Sequence, residues 1–148
     1  MSAVLHLGEL VQPYELYGQG RTTGDVGGYL EAKYGIMQTF WDRHGQQTAN
    51  DLASAVGDEI EAIMAGAPAQ RSDLFATAMS KTGERFKAFL SSREVERSGI
   101  PGVPTKAALR GVSHRKMHPY RKRGRRPSFI DSGLFEASFM AWMSGWQR

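Results

Sequence analysis

His114 and His118 stand four residues apart, a spacing that puts two imidazoles on one face of a helix and can hold zinc. The metalloprotease form of that pattern needs a glutamate directly after the first histidine. This chain has Arg115 there, and Lys116 and Arg121 add repulsion toward any cation. The carboxylates that fall close together, Asp58, Glu59 and Glu61, and Glu94 with Glu96, read as helix-surface positions with no histidine or nucleophile pattern beside them. Acid–base catalysis needs convergent groups in a pocket, and neither a Gly-x-Ser-x-Gly elbow nor a phosphate-binding loop occurs. The series Gly18-x-Gly20-x-x-x-Gly24 misses the dinucleotide spacing by one residue. The chain contains no cysteine, which excludes disulfides, thiolate zinc and thiol catalysis. The expectation is a protein that is not an enzyme and holds neither cofactor nor metal.

Positive charge is the chemistry that remains. Between Arg97 and Ile130 there are ten Lys or Arg and no acid; of nineteen basic and fifteen acidic residues, this leaves nine against fifteen elsewhere, a balance of −6. A mildly acidic body therefore carries a strongly basic segment, which suits contact with phosphate or with an acidic protein surface. Arg115, Lys116, Arg121, Lys122, Arg123, Arg125 and Arg126, interleaved with Tyr120 and two histidines, can neutralise phosphates in a salt-dependent way. They can equally pair with acids on a neighbouring subunit, where arginine forks fix register as well as attraction. The docking reading is preferred, because the basic run leads straight into an apolar stretch at Phe135, Phe139, Trp142 and Met143.

The elements that must position this segment follow from periodicity. A chain of 148 residues, 41% hydrophobic and 23% charged, fits one small domain. Residues 1–25, with Pro13 and three glycines between Gly18 and Gly24, read as a flexible arm lacking the basic start of a signal peptide. Residues 26–148 read as a single small domain with an exposed basic loop at 110–127. Val26, Leu30, Tyr34, Met37, Trp41 and His44 form a helical stripe predicted to end near Gly45. A second helix is predicted from Thr48 or Asn50 to Gly66, its buried stripe being Leu52, Ala55, Val56, Ile60, Ile63 and Met64. A third opens at Ser72-Asp73 and buries Phe75, Met79, Thr82, Phe86, Phe89 and Leu90. The run SGIPGVP interrupts regular structure, and TKAALRGV reads as one helical turn or a short strand. From Gly133 to Met143 the pattern fits a helix at i, i+4, i+7 and i+8, but also alternates as a strand would; the helix is preferred. The fold class is thus α+β: a mainly helical first half of three amphipathic helices, then a basic loop and a last helix or strand. No window approaches the roughly 20 apolar residues of a membrane span, so no membrane partner is expected.

The run RRPSFIDSGLFEASFMAWM, with its core Asp131-Ser132-Gly133-Leu134-x-x-x-Ser138-Phe139, resembles the D-T-G-L-x-x-S-I/F segment of the neck and tail-completion proteins of tailed bacteriophages. In that family a helical first half precedes a basic loop and this motif, as here, although Ser132 stands where threonine is usual. The resemblance implies a virion protein, assembled in the host cytoplasm, that forms a homo-oligomeric ring joining head and tail beside portal, adaptor or tail proteins. It implies no catalytic residues, and assigns Asp131, Ser132, Gly133, Leu134, Ser138 and Phe139 to a docking motif that fixes the last element. The competing expectation is a small basic nucleic-acid-binding protein, with Arg121 to Arg126 on the phosphate backbone.

Overall fold

A computed structural model of the chain describes residues 3–13, 20, 22–69, 74–111, 124–130 and 133–145. Along them run β1 (Val4–Glu9), α1 (Thr23–Tyr34), α2 (Ile36–Met64), α3 (Ala76–Ser91), a 3-10 turn over Glu94–Arg97, α4 (Lys106–Arg110), α5 (Leu134–Ser138) and β2 (Phe139–Ser144). The class is α+β and mainly helical.

Helix boundaries differ from the periodic reading in one instructive place. The predicted break at Gly45 is absent, and α2 runs unbroken through it for 29 residues. Gly45 is there for contact: a Cβ on it would lie 2.9 Å from the Trp41 ring. The chain breaks instead at Gly35, in the left-handed region at φ 58° and ψ 44°, where glycine carries no steric penalty. Its N–H donates to the carbonyl of Glu31, ending α1. The Glu31 carboxylate then accepts from the N–H of Met37 (2.6 Å) and Gln38 (3.1 Å), capping the start of α2. Thr48, proposed as an N-cap, is instead buried in mid-helix, where it accepts from the hydroxyl of Thr82.

Of the third stripe, Thr82, Phe86, Phe89 and Leu90 are buried on α3, whereas Phe75 and Met79 are only half-buried; the Ser72-Asp73 cap lies outside the described residues. TKAALRGV resolves as helix α4, with Thr105 accepting from the N–H of Ala108. The last segment is both alternatives in turn, a short helix α5 followed by strand β2.

Part of the predicted arm is also regular structure. β1 pairs antiparallel with β2, from Val4 opposite Ser144 to Glu9 opposite Phe139, so the two ends of the chain form one two-stranded sheet. Beyond β1, Thr23 accepts from the N–H of Gln12 and donates to the carbonyl of Leu10, and its own N–H bonds the carbonyl of Gln12. Thr22 and Asp25 cap α1 reciprocally. Sequence periodicity missed β1 because only six residues form it and their partners, from Phe139 opposite Glu9 to Ser144 opposite Val4, lie at the other end of the chain.

Ile36, Phe40, Phe86, Phe89, Leu90, Val95, Ile100, Phe135 and Phe139 make the core, with Leu7 of β1 packed against it. The core therefore lies where the first half of α2, α3 and the sheet meet. The second half of α2 runs past it: the buried residues of that helix end at Thr48.

Candidate functional site

The basic segment is held at its root. Gly111, left-handed at φ 63°, closes α4 with its N–H on the Ala107 and Ala108 carbonyls. From the other side of the segment, the N–H of Arg126 reaches the same Ala108 carbonyl at 3.1 Å. The N–H groups of residues 111 and 126 thus meet at one oxygen, which joins the two ends of the segment in a closed stem.

Glu96 locks that stem. Its side chain is only 4% exposed. One oxygen accepts from both the N–H and the hydroxyl of Ser128 (2.9 Å each), and the other accepts from Arg125 Nη2 at 2.6 Å. Arg93 adds a bond to the Arg125 carbonyl, and the Arg126 guanidinium donates to the carbonyl of Ile130. Burial pushes the Glu96 carboxyl up, but the bonds from Ser128 and Arg125 outweigh it and hold the group below the usual carboxylate range. Of the predicted partner-binding residues, Arg125 and Arg126 are therefore engaged within the chain, as part of the stem. Arg115, Lys116, Tyr120, Arg121, Lys122 and Arg123 lie outside the described residues. Sequence reasoning took Glu96 for a surface acid; its partner Ser128 is 32 positions away, and no local pattern signals that pairing.

The docking motif divides in the same way. Asp131 and Ser132 lie outside the described residues. Gly133 takes φ 78°, and its carbonyl accepts from Ala137 to open α5. Leu134 begins that helix. Ser138 is buried, and its carbonyl accepts from the N–H of Leu10 at 2.7 Å. Phe139 stacks on Phe86, ring centroids 3.9 Å apart and planes at 14°, with an edge toward Phe40. The described part of the motif thus anchors the last element into the core.

Beside it sits an acid the sequence reading did not single out. Glu9 is on the core-facing side of β1, opposite Phe139, and its carboxyl bonds Ser138 Oγ. The other carboxyl oxygen is buried with no hydrogen-bond partner among the described residues. Burial pushes the Glu9 pKa up to about 7, against the lowering effect of the Ser138 hydroxyl. Gly27 makes room for it, since a Cβ there would stand 2.7 Å from Glu9 Cγ.

The second half of α2 carries an acidic stretch, Asp51, Asp58, Glu59 and Glu61. Asp51 is bridged by Arg85, and by Lys81 at 3.6 Å, so it is already neutralised within the chain. Next to it a groove of about 300 Å³ opens between α2 and α3, lined by Asp58, Glu59, Leu74, Thr77 and Lys81 among others. Past the groove, Val56, Ile60, Ile63 and Met64 are exposed, in contrast to the buried stripe expected of them. These four stand on the side of α2 away from Asp51 and Asp58, which line the groove with α3, since two residues are roughly 200° around a helix.

His44 is partly buried, stacked against Phe40 and bonded through Nε2 to Glu94 at 3.1 Å. Among the described residues no group of three metal-ligating side chains gathers, and no described helix is long and apolar enough to cross a membrane. Comparison of the chain with protein-family models, with curated proteins and with solved structures found no match.

Proposed function

We propose that this protein is a structural virion component of a tailed phage, a neck or tail-completion connector subunit that joins head and tail through a homo-oligomeric ring. The observation that best supports the reading is the closed stem at Ala108 and Glu96. It ties together the two ends of the basic segment, and the α5–β2 motif that follows in sequence is tied into the core. A presented charged segment beside a fixed docking element suits heterologous contacts, which close into a ring when the rotation allows. The role requires no catalytic residue.

The second reading, a nucleic-acid-binding protein, draws on ten basic residues without an acid between Arg97 and Ile130. The solution mass of the purified chain, with and without a short DNA duplex at low and at physiological salt, separates the two. A defined oligomer indifferent to DNA supports the connector. A monomer shifted by DNA and released by salt supports the second reading.

A further inference from the structure

The Glu9 carboxyl is set where its charged form has no complement. Oε2 meets the hydroxyl of buried Ser138, while Oε1 is buried without a hydrogen-bond partner. α1 closes over the same side chain, a Cβ on Gly27 standing 2.7 Å from Glu9 Cγ. A neutral carboxyl needs one acceptor for its proton and finds it in Ser138 Oγ, whereas a carboxylate needs donors at both oxygens. An unpaired charge held there is costly, and the chain can relieve it by moving the strand into water.

The titratable groups on the surrounding elements do not supply the missing donor. α1 carries Asp25, Tyr29, Glu31, Lys33 and Tyr34, α5 carries Glu136, and β2 carries none. Lys33, the cation among them, lies against Tyr29 and Tyr34. Asp25 serves Thr22, and Glu31 serves the first amides of α2. His6, the other titratable residue of β1, is on the opposite face by strand alternation, stacked on Trp142 and bonded to Ser144.

The strand that bears Glu9 can part from the fold without opening the core. It packs chiefly on β2 and α1. The buried side chains of the core all lie on other elements, and β1 adds only the half-buried Leu7 against them. Phe139 of β2 is fixed independently by its stack on Phe86. Just past β1, Leu10 and Gln12 are tied to Thr23 at the start of α1, which makes a hinge.

We propose that β1 is a pH-sensitive latch: ionisation of Glu9 releases Val4–Glu9 from β2 about a hinge at residues 10–12, while the helical core stays closed. Burial raises the carboxyl from 4.5 to about 7 in the closed chain, and in the released strand it returns to the ordinary carboxylate range. The closed form therefore holds the extra proton. The latch is tightest below 4.5, loosens as pH rises toward about 7, and changes no further above it. Release bares the pairing groups of β2, an uncharged strand that then offers a sheet edge to another extended segment.

Amide hydrogen exchange of the full chain at pH 5 and pH 8, corrected for the intrinsic pH dependence of exchange, tests the latch. Protection over residues 5–9 should fall roughly tenfold or more between the two values in wild type, the partial exposure of Glu9 keeping it below the full linkage. It should stay level in Glu9→Gln, and fall as in wild type in His6→Gln. Residues 86–90 of α3 should not share the loss. Level protection at 5–9 in wild type overturns the latch, as does an equal fall in Glu9→Gln. A fall abolished by His6→Gln assigns the effect to the histidine and overturns it too. Equal loss at 86–90 makes the opening global, which removes the hinge.

Discussion

Arg125 donates to Glu96 at 2.6 Å across 29 positions of sequence, and the same carboxylate holds Ser128 through two further bonds. One buried acid therefore decides where the basic segment returns to the core. Glu96→Ala should cost about 2–3 kcal/mol, because the Ser128 N–H and the Arg125 guanidinium lose a buried acceptor; urea unfolding measures it. Glu96 is held below the usual carboxylate range, so its contribution is present above that range and is lost as pH falls through the lowered value. Glu96→Gln should flatten the acid limb of a stability–pH profile, and an unchanged limb would place the acid sensitivity elsewhere.

Glu9 should act with the opposite sign. Its pKa is raised from 4.5 to about 7, so its stabilising effect is fully present below 4.5 and disappears as pH rises through about 7. Chemistry at Ser138 agrees: a protonated Glu9 can donate to Ser138 Oγ, freeing the hydroxyl to donate to the Phe135 carbonyl at 3.1 Å. Glu9→Gln should gain about 1–2 kcal/mol at pH 8 relative to wild type, allowing for partial exposure, and nothing at pH 4. Thermal melts at the two values decide it; equal gains at both would mean that Glu9 does not titrate on folding.

Phe139 joins the docking motif to α3 through its stack on Phe86. Phe139→Ala should cost about 3–5 kcal/mol by leaving a cavity among aromatic rings. Phe139→Asp should prevent folding, since it places an unpaired charge where the side chain is buried. Chemical denaturation and circular dichroism report both, and a folded, undiminished Asp variant would refute the packing described.

Gly35 separates α1 from α2 in the left-handed region, and a Cβ added there would meet nothing within 4 Å. Gly35→Ala should therefore cost about 1 kcal/mol through backbone conformation alone. Gly45→Ala, mid-helix against the Trp41 ring, should instead shift tryptophan fluorescence. No stability loss at Gly35 would overturn this account of where the helix break is encoded.

Replacing Arg121, Lys122, Arg123, Arg125 and Arg126 by Ala should block particle assembly while the helices still form. Normal particles from that variant would remove the docking role. Part of the stability loss should come from Arg125 alone, through its bond to Glu96, so the single Arg125→Ala variant serves as the control.

Local pattern by itself determined the helical first half, the α3 stripe from Thr82 to Leu90, the charge division and the absence of thiol chemistry. These are legible because a 3.6-residue period and a residue count need no distant partner. The tertiary structure decided what depends on long-range pairing. Which glycine breaks a helix was settled by the left-handed turn at Gly35 and by the Trp41 ring over Gly45. Whether 133–143 is helix or strand was settled by β1, which supplies hydrogen bonds only from Phe139 onward. Glu9 and Glu96 look like any surface carboxylates until Ser138 and Ser128 are brought to them. The stripe on the second half of α2 shows the converse: periodicity identified an apolar face, but burial is a property of what packs against it, and here the core ends at Thr48.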